Sequence, residues 1–122
     1  MSIPESLQVF LKHPEMFVER PSLDSIVAFL QGFDSALEGH VLLGFREYLI
    51  PKLDYGNNLA WFQLFQRFAA VNHSGSDSPC SQIVLTLLNK TLQDFWFERA
   101  GEDGLQHILK NHSHWVQSQS WS

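Results

Sequence analysis

The chain has 122 residues, with 13 acidic and 8 basic side chains and a formal charge of -5. Its apolar fraction of 44%, aromatic fraction of 13% and charged fraction of 17% are the reverse of a disordered composition. One small acidic domain spanning residues 1–122 is expected, since at this size a core excludes roughly two thirds of the unfolded surface without disulfide or structural metal. The negative balance argues against direct nucleic-acid binding or an anionic membrane surface unless a basic patch overrides it, and the cations Lys12, Arg20, Arg46, Lys52, Arg67, Lys90, Arg99 and Lys110 are scattered singly. Cys80 has no second cysteine to pair with, MSIPESLQVF lacks the order of a secretion signal, and no apolar run approaches about 18 residues. A cytoplasmic protein is the expectation.

Apolar residues recur at three- and four-residue spacing along almost the whole chain, which predicts an all-α fold, an irregular bundle of about six short helices. The first helix is expected from about Pro4 to Lys12, capped by Ser2, with Leu7, Phe10 and Leu11 on one face. The stretch from Pro14 to Pro21 is bounded by prolines and reads as a turned connector pressed onto the core through Met16, Phe17 and Val18. Ser22 then opens a second helix without a proper capping box. Its stripe is Leu23, Ile26, Val27, Leu30, Phe33 and Leu37, and its stop is Gly39.

HVLLGFREYLIPKL is expected to form a third helix ended by Pro51. A Gly56-Asn57-Asn58 turn follows, and Asn57 or Asn58 caps a central fourth helix that runs through about Val71. NHSGSDSP, residues 72–79, is the surface loop between two halves of the domain. Asp77 or Ser78 with Pro79 opens a fifth helix through about Arg99, with Ile83, Val84, Leu87, Leu88, Leu92, Phe95 and Trp96 over more than half its surface. A sixth, from about Glu102 to Val116, precedes a frayed tail at 117–122.

Six histidines, His13, His40, His73, His107, His112 and His114, invite a search for metal or proton-transfer sites. His107 and His114 share a helix face but stand seven apart, without the four-residue spacing and nearby Glu of a zinc pair, so surface and capping roles are expected. Cys80 at a helix start would have a lowered thiol pKa, yet its nearest candidate base, His73, lies across a loop with no orienting group. Phosphate-loop, dinucleotide and nucleophile-elbow fingerprints do not occur. The reading is therefore of a non-enzyme with no cofactor and no metal.

Two acidic surfaces exceed background. One is Asp24, Asp34 and Glu38, which fall within about a quarter-turn of one another on the second helix and could be joined by Glu15 and Glu19. The other is DFWFERAGED, residues 94–103, where Asp94, Glu98, Glu102 and Asp103 surround Trp96, Phe97 and Arg99. Phe97 falls beside Lys90, Gln93 and Asp94 on the helical wheel, outside the apolar stripe, and is either covered by the sixth helix or exposed as an anchor. Ordinary packing favours cover. Carboxylates around an aromatic suit a basic protein ligand, of which a nuclease with a positive active site is the natural example.

The half-sequence HPEMFVERPSLDSIVAFLQGFDSAL, followed by FREYLIPKLDYGNNLAWFQLFQRF, resembles a group of small bacterial proteins. In that group an RPxMY-like turn precedes a helix reading L-x-x-F-x-x-G-[YF], and a later Trp-containing helix start precedes an F-F-x-L-x-x-F run. Its members look like immunity proteins of contact-dependent growth inhibition and related polymorphic toxin systems. The likeness covers about residues 13–70: His13 to Phe17 at the turn, Phe29, Gly32 and Phe33 in the helix, and Asn58, Trp61 and Phe65 later. His13 stands for the usual Arg and Phe17 for the usual Tyr. The matched residues act as fold determinants, with Gly32 read as a site of close helix packing. The resemblance implies a protein that binds and neutralises the C-terminal domain of a cognate toxin, a basic nuclease being the best partner. The competing readings are a helical adaptor for a host protein or peptide, and a small enzyme built around Cys80 or the histidines.

Overall fold

The computed structural model describes residues 3–19, 22–72 and 82–119, and every regular element in them is helical. α1 (Glu5–Lys12) starts directly after Pro4, whose missing N–H belongs to a turn that leaves its first donors unpaired anyway. The expected cap, Ser2, lies outside the described residues. A 3₁₀ turn, Pro14–Met16, follows. Pro14 is buried, but Met16 and Phe17 are 70% and 43% exposed. The connector is thus held by Pro14, by Val18, which is partly buried and packs against the core as expected, and by edge-on contacts of the Phe17 ring with Phe10 and Phe29, at 5.6 and 5.9 Å between centroids, while Met16 is turned outward.

α2 (Leu23–Ala36) does have a capping box. The Ser25 N–H donates to Ser22 Oγ at 3.2 Å and the Ser22 N–H to Ser25 Oγ at 2.9 Å, so a serine hydroxyl takes the place that Glu or Gln ordinarily fills. Leu23, Ile26 and Leu30 are buried, and Phe29 stacks on Phe10 with centroids 3.8 Å apart. At the far end Glu38, not Gly39, first turns left-handed, with φ 58°. Its N–H bonds the Ser35 carbonyl at 3.1 Å and the Gly39 N–H bonds the Asp34 carbonyl at 2.7 Å, the pairing of a Schellman motif. Gly32 is exposed and, its own stretch of helix backbone aside, no described atom lies within 4 Å of where its Cβ would be, so it is not the site of close helix packing.

α3 (Phe45–Leu53) is shorter than the apolar pattern implies. Residues 40–44 form turns because Gly44 adopts φ 91° against Leu105, whose Cδ1 would stand 2.8 Å from a Cβ there. Pro51 does not end the helix: it lies inside the last turns, where burial of Leu49 and Ile50 outweighs the missing N–H, and the chain leaves at left-handed Asp54. Arg46 ties down the next loop, with Nε 2.6 Å from the Leu59 carbonyl and its guanidinium also donating to the Asn57 carbonyl.

α4 (Trp61–Asn72) is preceded by Ala60, whose N–H is taken by Gln63 Oε1 at 3.0 Å, so neither Asn57 nor Asn58 caps it. α5 (Gln82–Ala100) and α6 (Gly104–Ser118) complete the bundle. The expected loop at 72–79 and the Asp77–Pro79 helix start lie outside the described residues, apart from Asn72. α6 begins two residues later than expected and carries 117 and 118 within it. The centre of the bundle is α3 rather than α4, since α3 packs on α4, α5 and α6. Its Phe45 ring sits 5.7 Å from Trp61 and 5.0 Å from Phe95, and Phe10, Phe45, Phe65 and Phe95 are all fully buried. Among the described residues no helix is long and apolar enough to cross a membrane.

Candidate protein-binding surface

Phe95 and Trp96 fix how α5 is rolled on the core, both buried, Trp96 donating its indole N–H to the Val41 carbonyl at 2.9 Å. Two residues beyond Phe95 is about 200° around a helix, so burying Phe95 turns Phe97 outward. Phe97 is 85% exposed. The expectation that the sixth helix covers it is therefore corrected. α6 folds back against α3 and another side of α5, burying Ile108.

Around Phe97 the helical spacing sets Gln93 and Asp94 one turn back and Lys90 two turns back. Asp94 is exposed and pairs with Lys90 Nζ at 2.8 Å. Gln93 donates to Gln8 Oε1 of α1 at 2.5 Å, which fixes the opposite border of the face. Glu98 is half-buried, and with Asp94 it bears on the Tyr48 hydroxyl of α3. That hydroxyl has its pKa pushed up to about 12, first by burial and then by the Glu98 and Asp94 charges. Glu102 and Asp103 are exposed in the turn between α5 and α6, Asp103 with φ 55°. The structure therefore gathers Asp94, Phe97 and Glu98 on one helix and sets Glu102 and Asp103 at its end.

No family model, curated protein or solved structure matches the chain.

The second acidic set does not converge in the same way. Asp24 is exposed in the first turn of α2, about 15 Å along the helix axis from Asp34 at 1.5 Å per residue. Asp34 is turned to structural use: its Oδ1 accepts the Leu42 N–H at 2.8 Å. Its charge also favours the guanidinium of Arg99, whose pKa burial lowers. Arg99 in turn donates to the Val41 and Leu43 carbonyls at 3.1 and 2.9 Å. Glu38 is exposed and shapes the end of α2.

The histidines are dispersed. His13 Nδ1 lies 3.4 Å from Glu15, His40 Nδ1 is 2.8 Å from the Leu37 carbonyl, and His112 Nε2 is 2.7 Å from Asn57 Oδ1. His107 and His114 are exposed. Among the described residues, no three His, Cys, Asp or Glu side chains are grouped to hold a metal ion. Cys80 and His73 lie outside the described residues.

Sequence spacing did not single out α3 as part of the surface. Glu47, Tyr48 and Lys52 border a cleft that Glu98 also lines, and Lys52 Nζ rests 4.6 Å above the Tyr48 ring. The available signal was the four-residue step from Tyr48 to Lys52, which puts a ring and an ammonium on the same helix face.

Proposed function

We propose that the chain is an immunity protein that binds the C-terminal domain of a cognate toxin, a basic nuclease, through the α5 face centred on Phe97, and so denies the toxin its substrate. The observation that carries this reading is Phe97 standing 85% exposed beside Asp94 and Glu98. A large aromatic in water gains free energy when a partner covers it, and such residues dominate interface energetics once water is excluded. The carboxylates choose the partner's charge and speed encounter. A nuclease offers the matching field because it must attract phosphates. The resemblance of residues 13–70 to immunity proteins supplies the biological setting.

Tagged protein drawn from its native host cell at low and high salt tests the proposal. Recovery of one basic toxin domain in equal stoichiometry, lost progressively as salt rises, is the expected result. Phe97→Ala in the same complex should then raise Kd by about 30-fold or more, the size of an interface hot spot. Recovery of nothing, or of a housekeeping complex in place of a toxin, defeats the immunity reading. Unchanged affinity on replacing Asp94, Glu98, Glu102 and Asp103, with loss on replacing Asp24, Asp34 and Glu38, moves the interface to α2.

A further inference from the structure

Thr86, Lys90, Asp94, Phe97 and Gly101 form one exposed stripe along α5, each three or four residues from the next. The ion pair of Lys90 with Asp94, at 2.8 Å, leaves this stripe without net charge, although the whole chain carries -5. It is thus a part of an acidic molecule that can meet its own copy without local repulsion. Among the described residues no other ring and no cation stands against Phe97, so its ring is free to be covered.

The spacing of the stripe is also self-complementary. When two copies of α5 lie antiparallel about a two-fold axis between Gln93 and Asp94, Lys90 of each falls opposite Phe97 of the other, and Thr86 falls opposite Gly101. Gly101 has no side chain to hold the helices apart there. The four-carbon stem of Lys90 can lie on the facing ring while its ammonium stays on Asp94, so the contact adds apolar cover and a cation–ring attraction and keeps the existing ion pair.

We propose that in the free protein the Phe97 face is covered by a second copy of this chain, in a weak two-fold dimer built on antiparallel α5 helices. Two or three turns of one helix against another bury less than the about 1,200 Å² at which stable complexes begin, so the dimer is transient and micromolar in strength. A toxin domain held at nanomolar strength on the same face displaces the second copy. That displacement rests on the function proposed above, but the dimer can be tested without any other protein.

The test is sedimentation velocity of the full chain from micromolar to millimolar concentration, at low and high salt. A reversible monomer–dimer equilibrium that tightens as salt rises is expected, because screening removes the repulsion between two acidic chains. This is the opposite salt response from that of the toxin complex. Phe97→Ala and Lys90→Glu, each shown to be folded by its own ¹⁵N spectrum, should both weaken the dimer about tenfold or more, as loss of an interface anchor does. In the wild-type spectrum the Lys90, Asp94, Phe97 and Gly101 amides should shift on dilution. A chain that stays monomeric throughout, a dimer unaffected by Phe97→Ala, or dilution shifts confined to another face overturns the proposal. If the dimer behaves as expected and no toxin is recovered from cells, the dimer stands while the immunity reading falls; a recovered toxin with a strictly monomeric chain gives the reverse.

Discussion

Gly104 and Gly32 look alike in sequence and differ completely in what surrounds them. A Cβ on Gly104 would stand 2.1 Å from the Glu98 carbonyl oxygen and 2.5 Å from that of Arg99, both backbone atoms that can yield only if α6 shifts on α5. Gly104→Ala should therefore cost roughly 2–3 kcal/mol, as overpacking does, and lower the urea midpoint accordingly. Gly32 lies in the middle of α2, and its own stretch of helix backbone aside, no described atom lies within 4 Å of its would-be Cβ. Gly32→Ala should raise stability by about 0.5–1 kcal/mol through lower backbone entropy in the unfolded chain. Equal effects of the two substitutions would contradict the packing described for α6. The atoms that crowd Gly104 lie only five and six residues before it, at the end of α5, so its constraint comes from the tight turn into α6, whereas Gly32 sits on an exposed position in the middle of a helix.

At the level of the elements, periodicity revealed the helices, and the ends were legible only where the chemistry is local. The Leu23, Ile26 and Leu30 stripe, the Gly56-Asn57-Asn58 turn and the burial of Phe95 and Trp96 all follow from spacing. The limits of α3 do not. Gly44 breaks the helix early because Leu105, sixty-one positions later, fills the space beside it, and Pro51 is carried inside because the core retains Leu49 and Ile50. The end of α2 makes a prediction of its own. Glu38 holds a left-handed conformation that costs most residues about 1 kcal/mol or more and glycine very little. Glu38→Gly should stabilise the fold by about 0.5–1 kcal/mol in thermal or urea unfolding, and a loss of stability would show that the Glu38 side chain contributes more than its backbone costs.

Across the whole molecule, the candidate surface was half legible. Asp94, Phe97 and Glu98 could be named from the helical wheel, whereas the role of Asp34 in tying down the 40–44 turn, and the cleft beneath α3, depend on which helices meet. The same meeting of helices predicts a response to pH. The unfolded Tyr48 hydroxyl ionises near 10, and the folded one near 12. Its contribution to stability is therefore complete below about pH 10 and is lost as pH rises through about 12, because folding then opposes ionisation. Tyr48→Phe should abolish that part of the alkaline decline and also remove the late step in tyrosinate absorbance. An unchanged decline in the variant would assign the alkaline sensitivity to other groups.

The indole of Trp96 links these scales in a way that can be timed. Its N–H is 2.9 Å from the Val41 carbonyl inside the protein, and the same carbonyl is held by Arg99 from the helix that bears Phe97. In heavy water that one proton exchanges only when the 41–43 turn separates from α5. Its exchange rate is thus a clock for local opening directly behind the exposed face, readable in the free chain and again with a partner bound.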